Sequence, residues 1–450
     1  MNDVLRLLRY NTGNDKKSFI EFKEHFDAAI FNARIVAHSR SAVADIVSVH
    51  KQKYIIDPET HIFQHEIDCL LSKDRTQIKP SVQKYLEQLP ENLANIVLNN
   101  NRPLVPSDIS DEDITKLVDA VYDFETGYVN AVIKGKDYDK YLAFAGIGPS
   151  PKVIIAPYFM LKKQYNLSTI NEWMRINREC LHRYVLKNAG CYSVAAQLVL
   201  DKEVLFNPKL IESVKQTYNV SGCEYIFVWV SGFTPIDANE KTNKMFKALI
   251  LALNSISLKP IMAYGGYDSI ILCNKEAPSR LYGVAQSVGY GEEREITPVG
   301  GGLPVNKYYF PPTHKRLKFG DAAGILFRHG YFDEATPMND RIERYHKHIC
   351  NCKQCMRIIE DDINNFNQYN ESKAFSITYK NKGTIERNKP TTEAALIAAT
   401  HFMWCKVFEW RNVLNHPFDG LVSEWGKNVE RYMSQDIVKF SSWYAVYGRK

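Results

Sequence analysis

No stretch of this chain approaches the roughly 18 consecutive apolar residues that a membrane span requires. The N-terminal MNDVLRLLRYNTGNDKKSF breaks its short apolar patch with Arg6 and Arg9. It has no long apolar core and no small-residue cleavage site, so it does not read as a signal peptide. Charge of one sign is scarce: 57 Lys+Arg against 51 Asp+Glu leave +6, which permits a phosphate-rich partner without demanding one. Cysteine is sparse and odd in number, nine in 450 residues, which excludes a secreted disulfide framework. Internal repeats and low-complexity segments are absent. So are the dinucleotide fingerprint, the P-loop, H-E-x-x-H and G-x-S-x-G. These absences lead to the expectation of a cytoplasmic protein with no membrane association. With 45% hydrophobic and 24% charged residues the composition is that of a globular chain, long enough to bury a core without staples.

What is present is an alternation of short apolar runs with longer helical patterns, the signature of parallel βα units. Strands are predicted at Ala29–Ala37, Tyr54–Ile56, Val153–Pro157, Ser193–Val199, Tyr225–Val230, Lys259–Tyr264 and Leu281–Val288. Helices are predicted at Ser41–Val49, Ser81–Gln88, Glu112–Ile133, Thr169–Lys187, Pro208–Tyr218, Glu240–Ser257 and Asp268–Ala277. Seven strands of this kind suggest an α/β (β/α)8 TIM barrel with one strand unaccounted for, expected within Asp74–Gly148. The predicted division is a barrel over 1–330, with a helical insertion at about 74–148, and a mostly helical metal-binding subdomain over 331–450. Asp361–Lys389 is polar and reads as an excursion from the packed body.

The sharpest local signal is His-Ile-Cys350-Asn-Cys352-Lys-Gln-Cys355. Thiolates so spaced reach one ion from a tight turn, and zinc favours four soft or borderline ligands in a tetrahedron. His401, on a predicted helix, is the first choice for the fourth ligand, with Cys405 one turn further as the reserve. His346 and His348 are nearer in sequence, but short spacing strains a site already holding three ligands. Four protein ligands close the site, so a zinc ion there is expected to be structural. The alternative is three unrelated cysteines.

With this cluster after the last barrel strand, the chain resembles the tRNA-guanine transglycosylase superfamily, which includes DNA 7-deazaguanine transglycosylase-like proteins. The resemblance spans roughly Ala29–Trp410. Tyr54-Ile-Ile-Asp57 ends a strand where the family carries an Asp that acts at the base. Val194-Ala-Ala-Gln197 matches the strand that offers a Gln to the purine edge. Val228-Trp-Val-Ser231-Gly232 matches the strand whose end lines the base pocket, and Ile261-Met-Ala-Tyr-Gly265-Gly266 the strand before the nucleophile. The chain departs from the family in having Pro58-Glu59-Thr60 for Ser-Gly-Gly and Pro157-Tyr158 where the family has an Asp. It also has no Asp on Val284–Gly289, where the family's nucleophile sits.

Asp57 is therefore the leading candidate for catalysis, with a helix N-cap as its alternative. Glu292 or Glu293, after the last strand, is the candidate to replace the missing carboxylate; a solvated charged loop is the alternative. Base exchange needs one carboxylate at the anomeric carbon and a second acid or base at the departing purine. Gln197 can donate and accept in one plane, as a purine edge requires, and Tyr158, Trp229 and Phe233 can wall a flat ligand. The loop from Gly300 to Arg316 combines three glycines with Lys307, Tyr308, Tyr309, Lys315 and Arg316. It is expected to contact a polynucleotide through phosphates and stacked bases, with barrel closure as the alternative. The resemblance implies exchange of guanine for a 7-deazapurine base in tRNA or DNA. The alternative is a non-catalytic nucleic-acid-binding or partner-supporting barrel of the same superfamily. Either reading admits a homodimer or a heteromeric partner.

Overall fold

The computed structural model describes residues 3–10, 15–49, 53–72, 75–133, 150–288, 292, 294–296, 307–379 and 383–448. Eight parallel strands form the sheet: β1 (Leu5–Tyr10), β2 (Ala28–Asn32), β3 (Tyr54–Asp57), β4 (Ile154–Ile155), β5 (Val194–Asp201), β6 (Cys223–Ser231), β7 (Lys259–Met262) and β8 (Gly283–Ser287). Their order is β3-β2-β1-β8-β7-β6-β5-β4. The seam between β3 and β4 is bridged at Tyr54 and Pro151, which nearly closes a TIM-type barrel. β4 is short because Pro157 stops its ladder. A side chain takes over there: the buried Glu125 carboxylate accepts the Ile155 amide at 3.1 Å.

The strand missing from the sequence reading is β1, not a segment of 74–148. Among its described residues that stretch is mainly helical, at Pro80–Leu86, Glu91–Leu98 and Asp111–Ile133. Leu5-Arg-Leu-Leu-Arg-Tyr10 carries two arginines, which hid its strand period; Arg6 reaches solvent and pairs with Asp27 at 3.0 Å, whereas Arg9 turns inward. The predicted strand Ala29–Ala37 also runs too long. It ends at Asn32, and Ala33–His38 is helical because Ala33, Val36 and Ala37 fall on one buried helical face.

Successive strand residues alternate between two cores. Leu7, Ile30, Ile55, Ala195, Phe227, Ile261 and Ala285 fill the barrel interior. Leu8, Phe31, Ile56, Ala196, Val228, Met262 and Val284 face the surrounding helices. Burial on both faces explains why the strands read as nearly continuous apolar runs. The C-terminal region packs into that outer core. Its helices include Met338–His348, Lys353–Ile358, Thr392–Asn415, Phe418–Tyr432 and Ile437–Tyr447. An antiparallel hairpin, β9 (Lys307–Phe310) with β10 (Lys315–Lys318), precedes them, and a second, β11 (Ser372–Tyr379) with β12 (Gly383–Pro390), interrupts them. Trp410 Nε1 donates to Gln286 Oε1 at 3.1 Å and Asn274 Nδ2 to the Val413 carbonyl at 2.6 Å, joining this region to the barrel. No helix is long and apolar enough to cross a membrane among the described residues.

Candidate active site and candidate metal centre

At the C-terminal ends of the strands the apolar interior gives way to a buried polar layer: Arg9 of β1, Asn32 of β2, Asp57 of β3, Gln197 of β5 and Ser231 of β6. Asp57, only 1% exposed, is its hub. Its Oδ2 accepts from Arg9 Nη1 at 3.1 Å and lies 3.5 Å from Gln197 Nε2. Its Oδ1 accepts from the Tyr158 hydroxyl at 2.7 Å and the Glu59 amide at 3.2 Å. Arg9 is fixed in turn by the Ala263 carbonyl at 2.7 Å and Asn32 Oδ1 at 3.2 Å, with its guanidinium 4.2 Å from the Tyr264 ring centre. Gln197 Oε1 is buried with no hydrogen-bond partner among the described residues, so the amide keeps one acceptor for a ligand.

The Pro58-Glu59-Thr60 turn builds the rim. Glu59 takes a left-handed conformation at φ 44°, a strained choice for a non-glycine residue. Its carboxylate repays this by accepting from Asn32 Nδ2 at 2.9 Å and from Arg34 at 3.0 and 2.7 Å. Burial alone raises the Glu59 carboxyl, but the Arg34 charge and hydrogen bonds reverse that and hold it below its ordinary range. The short 3-10 helix Thr60–Gln64 follows with no side-chain cap, so Asp57 does not serve as an N-cap.

His61 Nδ1 lies 3.0 Å from the Tyr158 hydroxyl, and its ring stacks on Tyr158 and meets Trp229 edge-on. Burial and the nearby Asp57 charge raise the Tyr158 phenol, so it stays protonated and donates to Asp57. Burial first, then Arg34 and neighbouring cations outweighing Glu59, pushes the His61 imidazole down to about 3. His61, Tyr158 and Asp57 thus form a chain along which a proton can be held or passed.

His65, pushed down to about 2 by burial and then by His61, packs on His61. Both rings are neutral in the fold, whereas the unfolded chain protonates them near 6.5. The unfolded state therefore binds more protons below that value. The stabilisation is fully present above pH 6.5 and is lost as pH falls towards the folded values, by about 1.4 kcal/mol per pH unit per histidine. His65→Gln removes one of these groups. The stability advantage of the native protein over the variant should accordingly shrink by roughly 2 kcal/mol between about pH 7 and pH 5. Denaturant titrations at the two pH values read this directly, and a constant difference would mean that His65 titrates normally in the fold.

On the opposite wall, Ser231 Oγ donates to Glu295 Oε2 at 2.7 Å and accepts the Ile296 amide at 3.1 Å. Trp229 Nε1 donates to the Arg294 carbonyl at 2.9 Å. Residues 294–296 therefore rest on the end of β6. Gly232 is needed there: its φ is +57°, and a Cβ would come within 2.5 Å of Glu295 Oε1.

The predicted carboxylate Glu292 does not share these contacts. It lies in the seam between barrel and C-terminal helices, 3.5 Å from Lys406 Nζ and 3.9 Å from Arg316 Nε. Glu293 lies outside the described residues, as do Gly300, Gly301 and Gly302. The expectation of a polynucleotide-binding loop is corrected at most of its described positions. Tyr308 and Tyr309 are buried, each 1% exposed, because β9 runs beneath the helix Thr392–Asn415. Tyr308 stacks on His401, and Tyr309 hydrogen-bonds with Lys406 and Glu409. Lys315 pairs with Asp436 at 2.9 Å. Arg316 donates to the carbonyls of Val288, at 2.7 Å, and Ser287, with its guanidinium over Phe402. Only Lys307 is exposed.

The cysteine cluster assembles as the spacing predicts. Cys350, Cys352, Cys355 and His401 are all buried, with their ligand atoms within 4.8 Å of one another, close enough to hold a metal ion. His401 Nδ1 lies 3.8, 3.4 and 3.4 Å from the three sulfurs. Tetrahedral zinc with ordinary bond lengths separates nitrogen and sulfur by about 3.6 Å, so the set fits. His401 Nε2 donates to the Tyr309 carbonyl at 2.7 Å, which leaves Nδ1 free of its proton for a metal. The Tyr345 and Tyr369 hydroxyls contact Cys355 Sγ at 3.4 and 3.2 Å. Cys405, 3.7 Å from His401 Nδ1, stands just behind the set.

No protein-family model and no curated protein matches this chain. The residues that sequence reasoning missed are Arg9, Asn32, Arg34 and Glu295. Arg9 alone left a signal, the alternation of Leu5, Leu7 and Arg9 on one strand face; the others become significant only when distant segments meet.

Proposed function

We propose that this chain is a transglycosylase-like enzyme that exchanges guanine for a 7-deazapurine base in a nucleic acid, tRNA or DNA. The observation that carries the reading is the convergence of Asp57 with Gln197, whose buried Oε1 lacks a partner, at the end of a barrel where chemistry is placed. Tyr158, Trp229 and Tyr264 supply flat walls beside them. Gln197 reads the purine edge. The two carboxylates of the exchange are Asp57 and Glu295, in place of Glu292 or Glu293. One attacks the anomeric carbon as the glycosidic bond to guanine breaks, and the other gives the departing purine its proton; that group then takes a proton from the incoming base as the base attacks the anomeric carbon and releases the first carboxylate. The ion held by the cysteine cluster is zinc, with a structural role.

Labelled-guanine exchange into unmodified tRNA and into duplex DNA tests this. Asp57→Asn and Glu295→Gln are each expected to lower the rate at least about a hundredfold, with only the nucleophile's variant losing a covalent adduct on a denaturing gel. No exchange into either polymer by the metal-loaded protein would refute the reading. One observation favours a second, non-catalytic reading: Arg9 already neutralises Asp57 through a buried salt bridge. On that reading the protein binds the base without exchanging it.

A further inference from the structure

The polar excursion between the third cysteine and His401 is a ribbon, β11 paired with β12 over eight residue pairs. Both of its faces are largely solvated: Lys373, Ala374, Ser376, Thr384, Glu386, Arg387 and Asn388 are all exposed. An isolated two-stranded ribbon is at best marginally stable in water. Its register adds a cost, because Lys373 lies directly opposite Lys389, and like charges so placed repel. Parity puts Phe375 and its partner Arg387 on that same face, and Lys389 Nζ lies 5.2 Å from the Phe375 ring centre. The acid of the paired strands, Glu386, belongs to the opposite face with Ser376. Lys373, Arg387 and Lys389 make no ion pair among the described residues. The ribbon is rooted firmly: Thr391 N donates to the Glu371 carbonyl at 2.9 Å across its base, and Tyr369, just before it, contacts Cys355.

We infer that this ribbon is a DNA-docking arm whose face carrying Lys373, Phe375, Arg387 and Lys389 meets the phosphates of a duplex. Concentrated like charge on a projecting ribbon is stabilised by a polyanion. The shape selects the polymer. A two-stranded ribbon enters the major groove of B-form DNA, about 12 Å wide, whereas the A-form RNA major groove is too deep and narrow to admit it. The inference rests on the nucleic-acid reading above and narrows it to DNA.

The test compares the full-length, metal-loaded protein with Lys373→Gln/Arg387→Gln/Lys389→Gln by fluorescence anisotropy on a DNA duplex and an RNA duplex of the same sequence. A control, Lys53→Gln/Lys152→Gln/Lys275→Gln, removes equal charge from loops that enter the N-terminal ends of the barrel strands. The ribbon variant should melt like the native protein and bind DNA at least about tenfold more weakly at about 100 mM salt. Its slope of log affinity against log salt should be shallower by up to about 2.7 units, with the control nearly unchanged. Unchanged DNA affinity in the ribbon variant, or an equal loss in the control, overturns the arm. Equal, ribbon-dependent binding of the RNA duplex overturns the assignment to DNA. Base exchange is scored separately through Asp57→Asn, so an active enzyme with an indifferent ribbon refutes the arm alone. A protein that binds neither duplex overturns the arm whether or not it exchanges base in tRNA.

Discussion

Cys352→Ala is expected to release the metal and unfold the C-terminal region. Cys352 Sγ lies 3.4 Å from His401 Nδ1 and also receives the Cys355 amide at 3.4 Å, so it organises both the ligand set and the turn that carries it. Metal binding to a closed four-ligand site is folding free energy, with apparent values of about 10–16 kcal/mol for zinc in small domains. Even a fraction of that exceeds what one sulfur contributes by packing. The damage should spread because His401 sits within the helix Thr392–Asn415, which also carries Trp410 against Gln286 and Lys406 against Tyr309. Elemental analysis should find about one zinc per native chain and much less in the variant, and calorimetry should show a broad or early transition. A chelator should reproduce the effect on the native protein and add little to the variant. Cys405→Ala is the control, expected to keep its metal. If Cys352→Ala kept both metal and full stability while Cys405→Ala lost them, the ligand set would have to be redrawn around Cys405.

Arg9→Met should cost about 3–5 kcal/mol of stability, the usual consequence of removing one partner from a buried ion pair. Arg9 is wholly buried, and its guanidinium serves Asp57, Asn32 and the Ala263 carbonyl together. The substitution leaves the Asp57 charge in the barrel interior with no cation and deprives a buried carbonyl of its donor. Adding Asp57→Leu should recover part of the loss, since two apolar residues need no counter-charge. The double-mutant cycle then isolates the coupling between the pair. Arg9→Lys keeps the charge but not the planar fork, and should fall between native and Met. Chemical denaturation of native, Arg9→Met, Asp57→Leu, the double variant and Arg9→Lys decides the matter. An Arg9→Met protein within about 0.5 kcal/mol of native, the range of ordinary surface substitutions, would show that water or a rearranged side chain already satisfies Asp57.

The barrel class, most of its strands and the four residues placed to hold a metal were legible in the sequence. Each of these rests on a local pattern. Parallel strands buried on both faces are mostly apolar, as in Tyr225–Val230, and a chelate turn needs its thiols within a few residues. The sequence misplaced the strand whose pattern is broken by charge. In Leu5–Tyr10 only the neighbouring strands reveal that Arg9 turns inward to meet Asp57. Only the folded barrel shows that these candidates form one layer: Asp57, Gln197 and Ser231 carry motif signals, but Arg9 and Asn32 join them because five strands converge through barrel closure rather than spacing. The tertiary structure also decided the fate of the Lys307–Arg316 segment. Tyr308, Tyr309, Lys315 and Arg316 have the composition of a nucleic-acid surface, but packing against Thr392–Asn415 turns the tyrosines into core, while Asp436 and the end of β8 give the two cations protein partners. Composition fixes which chemical groups a segment can offer. Burial fixes which remain available, and burial is set by residues far along the chain.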